Sequence, residues 1–472
     1  MTSSQETAAL DRVDAQLDAS LDRLFALMRI PSISTDPAHK DDCLRAAQSQ
    51  ADELSELGFA ARVAPTQGHP MVVAHHDGPG PHVLFYGHYD VQPADPLELW
   101  RNDPFNPVIE QRADGAKQIV GRGASDDKGQ LRTFIEAFRA LKETTDALPC
   151  RVTVLLEGEE ESGSESLEPF LRAHIDELKA DFALICDTGA WDSETPGITT
   201  GLRGTAAGEV TIRAADRDLH SGLYGGPARN PIQTLTEILS GLKDADGRVT
   251  LPGFYDGVKP VDPALRKAWD ALGFDGAAFL NEVDLSVPAG EKGYDILEQS
   301  WARPTAEING IWGGYISEGF KTVIPSEAHA KVSFRLVPGQ DPNKVWASFE
   351  QRVRDSLPAD CEARFKPRGG SFAVSLPTDS APLRAAQGAL DAEWGKSALL
   401  ASGGSIPVVN SIKAILGMDT VMVGFALNDD NIHSPNEKYD LKAFHKGIRS
   451  WVRILRALGA AKAETGQAVA AE

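Results

Sequence analysis

Cysteine is scarce in this chain of 472 residues: Cys43, Cys150, Cys186 and Cys361 lie far apart, and no two stand at the spacing of a thiolate metal site. The pattern reads as reduced thiols filling core positions. Basic residues are in deficit, 47 Lys and Arg against 68 Asp and Glu for a net charge of −21, which argues against nucleic acid or an anionic membrane as partner. The expected ligand is therefore small, or a cation. No apolar run reaches the length of a membrane span, and the opening "MTSSQETAALDRVDAQLDASLDRLFALMRI" lacks the basic start and apolar centre of a signal peptide, so a cytoplasmic chain is expected. Low-complexity and collagen-like stretches are missing too. With 42% hydrophobic and 24% charged residues the chain is ordinarily globular, and its length suits two domains, each with its own core.

Apolar residues recur at helical spacing from Ala8 to Leu27, and the proline and serines of "RIPSIST" end that pattern. Short apolar runs then alternate with helical segments. "HVLFYG", "RVTVLLEG" and "DFALICD" each end in glycine or a charge, and "GQLRTFIEAFRALKE" between the first two has a 3.6-residue period. That order predicts parallel strands joined by crossover helices, an α/β sheet. Near Gly201 the strands begin to alternate more cleanly, as in a sheet with one face in water, and Gly- and Pro-rich loops become frequent. The first texture returns after Pro377, with a helix through "APLRAAQGALDAEWG", a strand-like "DTVMVGFAL" and a last helix "LKAFHKGIRSWVRILRALG". The expected organisation is a discontinuous α/β domain, residues 1–202 and 377–472, with an α+β domain, residues 203–376, inserted into it.

Each expected parallel strand ends in potential ligands. "FYGHYDV" supplies His88 and Asp90, "GRGASDDKG" supplies Asp126 and Asp127, "LLEGEEESGS" supplies Glu159, Glu160 and Glu161, "LICDTG" supplies Asp187, and "DDNIHSPNEK" supplies His433. Singly these are weak signals, since aspartates form turns and a glutamate run is ordinarily a solvated face. In an open α/β sheet, however, the ligand crevice lies at the carboxyl ends of the strands, where these groups converge. So many carboxylates together call for cations, and nitrogen and oxygen donors without thiolates suit zinc, with manganese or cobalt as substitutes.

The motifs "GHYDVQP", "GRGASDDKGQ", "EGEEESGS", "DLHSGLYGG", "NGIWGGY", "KTVIPSEAHAKVSFRLVPGQ", "GGSIPV" and "NIHSPNEK" resemble, in family order, those of the di-zinc amidohydrolases. That family includes carnosinases, cytosolic dipeptidases, aminoacylase, glutamate carboxypeptidase and succinyl-diaminopimelate desuccinylase, and the dipeptidase branch is the nearest in pattern. The resemblance implies two zinc ions per chain. His88, Asp126 and Asp187 would hold one, Glu161, His433 and the shared Asp126 the other. Asp90 would orient the ring of His88 from two positions along the strand. Glu160 would be the general base, and Glu159 is left without a role. Two divalent cations carry +4 against −3 from Asp126, Glu161 and Asp187, so one bridging hydroxide, the implied nucleophile, neutralises the centre. The family also implies a cis peptide between Asp126 and Asp127.

From the inserted domain, by the same resemblance a lid and homodimerisation module, His220 would reach across the dimer to stabilise the partner site's oxyanion. Arg335 would pair with the substrate's free carboxylate. Thr322 and Ser405 match hydroxyls near the substrate; Asn309 is either a further polar contact or a turn former. One departure stands out, Ala401 and Ser402 before "GGSIP" where the dipeptidase branch commonly carries Arg-Glu, which leaves the subsite for the substrate's far end open. The expected activity is hydrolysis of the amide bond of a dipeptide or similar small substrate with a free carboxylate. The alternatives are an N-acyl amino acid deacylase of the same family and a non-catalytic binding protein on the same fold.

Overall fold

In the computed structural model, which describes residues 2–404 and 406–469 with side chains through residue 460, the chain forms two units. One comprises Met1–Thr200, Leu376–Leu400 and Ser411–Glu472; the other comprises Gly201–Ser375 and Ala401–Asn410.

The first unit is built on the apolar runs. They form β1 (Ala60–Ala64), β2 (Met71–His76), β3 (His82–His88), β4 (Arg151–Glu157), β5 (Phe182–Ile185), β6 (Gly197–Leu202) and β7 (Thr420–Gly424), in spatial order β1-β2-β4-β3-β5-β7-β6. The central four, β4, β3, β5 and β7, pair in parallel, whereas β1, β2 and β6 pair antiparallel at the flanks. The central strands are buried over nearly their whole length, which explains their continuous rather than alternating apolarity.

The helices named here are α1 (Ser3–Ala15), α2 (Leu17–Met28), α3 (Lys40–Glu56), α4 (Lys128–Thr145), α5 (Ala381–Trp394) and α6 (Leu441–Val469). Between β3 and β4 the chain crosses over through α4, which is buried along most of its length. Phe134 and Phe138 of α4 meet Phe85 of β3, and Trp451 of α6 closes the cluster with its ring 5.2 Å from that of Phe85. The Trp451 indole N–H donates to Thr133 at 3.0 Å, so the buried ring carries no orphan donor. Among the described residues, no helix is long and apolar enough to cross a membrane.

The helical pattern from Ala8 to Leu27 is interrupted. Gln16, at φ −117° and ψ 17°, separates α1 from α2. On α2, Ser20 and Arg23 hydrogen-bond the buried Glu136 of α4 at 2.9 and 2.7 Å, an anchor that periodicity cannot register. Cys43, Cys150 and Cys186 are core residues, but Cys361 is only half-buried.

In the second unit, an antiparallel sheet runs in the order Thr305–Gly313, Glu327–Leu336, Gly204–Arg213, Glu362–Ser371. Burial alternates along the central strands, and Val210, Ile212 and Phe334 pack with Leu235, Phe349 and Val353 of the helices Pro231–Ser240 and Pro342–Ser356. Both helices begin with proline after a capping side chain, Asn230 accepting from the Ile232 amide at 3.0 Å and Asp341 from the Asn343 amide at 2.8 Å. Asn309 is neither in a turn nor buried. It sits exposed in Thr305–Gly313, at the register shift between Ile308 and Gly310.

Candidate metal centre

All five expected ligands lie in the first unit, four of them at or just beyond the carboxyl ends of the parallel strands; Asp126, expected at such an end, instead follows Lys117–Val120, which pairs antiparallel with Val108–Gln111 and Lys438–Asp440 in a separate three-stranded sheet. His88 is the last residue of β3, Asp187 follows β5 by two residues, and Glu161 occupies a single 3-10 turn, Glu160–Ser162, just beyond β4. Asp126 precedes α4, its peptide bond to Asp127 is cis, and His433 lies in the loop after β7. His88 Nε2 is 3.1 Å from Asp126 Oδ1 and 3.8 Å from Asp187 Oδ2. His433 Nε2 is 2.9 Å from Asp126 Oδ2 and 3.2 Å from Glu161 Oε2. His88, Asp126 and Asp187 thus form one group, and Asp126, Glu161 and His433 another, each with its potential ligand atoms within 4.8 Å of one another. Asp126 presents one carboxylate oxygen to each histidine.

Neighbouring groups hold these side chains in place. Asp90 is wholly buried, its Oδ1 3.3 Å from His88 Nδ1 while its Oδ2 accepts the Glu161 amide at 3.0 Å. An Nδ1–H turned to Asp90 leaves His88 Nε2 as the donor atom facing Asp126 and Asp187. Asp127, also wholly buried, accepts the His88 amide at 3.1 Å. Three groups escaped the sequence reading. Gln92, inside "GHYDVQP", donates to Glu161 Oε2 at 2.8 Å. Asp430 accepts from the Ser125 hydroxyl and the Leu427 amide, both at 2.8 Å. Glu437, wholly buried, accepts Arg122 Nη1 and the amides of Gly123, Ser125 and Asp126 at 2.8–3.0 Å. Asp430 immediately precedes "NIHSPNEK" and Glu437 lies within it, close enough to mark both as candidates, but as charged residues in a loop they read as solvated.

Glu159 is not a solvated neighbour either. It is 7% exposed and accepts the amides of His69 at 2.9 Å and Ser166 at 3.0 Å. The three consecutive glutamates therefore have separate environments: Glu159 ties down the loop, Glu161 joins the second group, and Glu160 stands beside both.

Electrostatically the chain alone asks for positive charge. Burial and the neighbouring charge of Asp126 push the Asp187 carboxyl well above the usual carboxylate range. Burial likewise raises Glu160, with His88 opposing and Glu161 and Asp126 reinforcing the rise. Hydrogen bonds to Asp126 and Glu161 push the His433 imidazole up to about 10. These carboxylates draw protons for want of a stronger cation. Two imidazoles and three carboxylates, with no thiolate, are a donor set for zinc, manganese or cobalt, and each group supplies three of the four ligands that zinc commonly takes.

The remaining expected residues that the structure describes, His220, Thr322, Arg335 and Asn309, belong to the second unit. His220 and Thr322 lie close together, His220 ending the two-residue strand Leu219–His220, which pairs with Val323–Ile324. The Ser221 amide donates to the Thr322 carbonyl at 3.1 Å, and His220 Nδ1 accepts the Gly222 amide at 2.9 Å. Arg335 is half-buried on Glu327–Leu336, opposite Thr205 and Thr305. Burial, and then the charge of Arg335, push the nearby Arg203 guanidinium down to about 10. Ser405 lies outside the described residues. Ser402, at the point of departure from the family pattern, accepts the Gly404 amide at 3.0 Å.

Comparisons with known proteins point to one family. Residues 84–457 match the profile of peptidase family M20/M25/M40. The chain is 31% identical over 456 residues to the Cys-Gly metallodipeptidase dug1 of Schizosaccharomyces pombe, covering 93% of this chain and 95% of that protein. It is 28% identical to the human Beta-Ala-His dipeptidase, covering 94% and 92%. Among solved structures, an M20 family metallo-carboxypeptidase from Sulfolobus solfataricus superposes with a TM-score of 0.79 at 30% identity, covering 93% of this chain and 99% of that one.

The sharing of Asp126 by both groups sets a measurable order. Divalent metal content, determined by elemental analysis after dialysis, is expected to fall furthest in Asp126→Asn and by about half as much in Asp187→Asn or His433→Ala. An Asp126→Asn protein that keeps its full metal content overturns the shared position.

Proposed function

The chain belongs to peptidase family M20/M25/M40, and from that membership we propose that it is a two-zinc dipeptidase hydrolysing small substrates with a free C-terminal carboxylate. The observation that carries this reading is the pair of three-residue groups joined at Asp126, with Glu160 beside them. In the proposal His88, Asp126 and Asp187 hold one ion, and Asp126, Glu161 and His433 the other. When bound, such a pair supplies Lewis acidity toward a peptide carbonyl and acidifies water near neutral pH.

The chain's own residues then have distinct tasks. Glu160 takes the proton of the attacking water and delivers it to the leaving amine, a shuttle suited to a carboxyl whose pKa burial has raised. Asp90 keeps His88 in one tautomer and, through the Glu161 amide, keeps the turn bearing the base in register. Arg335, which pairs with no acidic side chain among the described residues, offers its planar fork to the substrate carboxylate. His220 of a second copy stabilises the oxyanion, and Thr322, Ser405 and Asn309 supply lesser polar contacts. Dimerisation is ascribed to the second unit, whose edge strand Thr305–Gly313 exposes Ile308, Ile311 and Trp312. A cytoplasmic enzyme is part of the proposal, in keeping with four free cysteines.

Three measurements test the reading. Zinc-loaded protein assayed on a panel that sets Cys-Gly, β-Ala-His and other dipeptides beside N-acetyl and N-succinyl amino acids is expected to cleave dipeptides; turnover confined to the acylated compounds would make it a deacylase. Glu160→Ala is expected to lower kcat by about 10²–10⁴-fold with metal content retained, and an unchanged kcat would remove Glu160 as the base. Mixing His220→Ala chains with His88→Ala chains, each inactive alone, is expected to restore part of the activity through hybrid dimers. No recovery in confirmed hybrids would rule out a histidine contributed by the partner.

A further inference from the structure

Glu437 is an acidic residue buried away from the surface, with no part in either ligand group. Its carboxylate is wholly buried and saturated with donors, Oε1 accepting the amides of Ser125 at 2.8 Å and Asp126 at 3.0 Å, Oε2 accepting the Gly123 amide and Arg122 Nη1, both at 2.9 Å. A carboxylate kept only to neutralise Arg122 would need one of these four. The other three come from consecutive turns of the backbone that deliver Asp126.

The segment that carries His433 is fastened to that same backbone twice. At its start Asp430 accepts the Ser125 hydroxyl at 2.8 Å, and at its end, besides the side-chain bonds, the Glu437 carbonyl accepts the Gly121 amide at 3.0 Å. The loop is also closed on itself, the Lys438 amide donating to the Asp430 carbonyl at 2.9 Å. Asp430 and Glu437 thus bracket His433, and both ends register against the residues just before Asp126.

From this geometry we propose that Glu437 is a positioning residue that fixes Asp126 relative to His433, and so sets the affinity of the centre for divalent cations. The proposal rests on the reading that these two side chains hold a metal. The physical basis is the preference of a carboxylate for four N–H donors: it accepts at both oxygens, whereas an amide must turn its NH₂ against two of those donors. Groups that orient ligands from behind typically change metal affinity by about 10–100-fold when altered.

The test uses the full-length protein, stripped of metal and titrated with Co²⁺, read by its visible absorption and by the rise in melting temperature on metal addition. Glu437→Gln and the charge-conserving but shorter Glu437→Asp are each expected to weaken Co²⁺ binding about 10–100-fold. The control is Glu393→Gln, a buried carboxylate that accepts Arg449 Nε at 2.7 Å and Arg453 Nε at 2.8 Å away from the centre. It is expected to lower the melting temperature of the metal-free protein while leaving Co²⁺ affinity within about twofold. Native protein that binds no Co²⁺ overturns the metal reading itself. Native protein that binds, with both Glu437 variants folded and binding equally well, overturns the positioning role alone. If neither variant folds without metal while Glu393→Gln does, Glu437 is a general structural residue and the proposal is equally overturned.

Discussion

Like charges held close together out of water repel, and the first unit is organised around that cost. Asp126, Glu160, Glu161 and Asp187 crowd the carboxyl ends of four parallel strands, and Asp90, Asp127, Glu157 and Glu437 add carboxylates behind them. Backbone amides meet much of the demand: those of His88, Glu161, Gly123, Ser125 and Asp126 all donate to carboxylates. Others find side-chain donors, as when the Tyr86 hydroxyl donates to Glu157 at 2.6 Å. The demand is not fully met: Asp127 Oδ1 and Glu157 Oε1 are buried without a hydrogen-bond donor among the described residues, and burial raises the carboxyls of Asp187 and Glu160, so the crevice as a whole suits cations.

This arrangement explains which parts were legible in the sequence. A parallel strand buried on both faces must be continuously apolar, so "HVLFYG" and "DFALICD" announce themselves, and the polar residue at the end of each falls at the crevice by geometry alone. His88, Glu161, Asp187 and His433 were readable as candidates for that reason, whereas Asp126 follows Lys117–Val120, a strand of a separate antiparallel sheet, and the division of the five into two ligand sets came from the family resemblance. The crossover helix α4 was readable from its period, although burial nearly all round makes its apolar stripe an understatement of its contacts.

Residues whose partners are distant in sequence were not readable. Glu159 is chemically identical to its two neighbours, and its burial depends on the amide of His69, 90 positions away. Glu437 stands in a polar loop, and nothing local shows that four donors wait for it. The helix after the break at Gln16 is anchored on Glu136, more than a hundred residues away, and Asn309 sits at a register shift against a neighbouring strand. In each case local composition is compatible with several environments, and tertiary pairing selects one.

The bonds from Glu437 also have a topological consequence. They join positions 314, 312 and 311 residues apart, and the second unit lies entirely within the span they close. The clamp is therefore the knot at the base of a very long loop. Closing such a loop costs entropy that grows only logarithmically, about 0.6 kcal/mol for each doubling of length. The inserted unit is thus free to lengthen, shorten or change its surface loops at little thermodynamic penalty to the centre, provided the knot holds. Length and surface can diverge in one part of the chain while the buried carboxylate network of the other is kept.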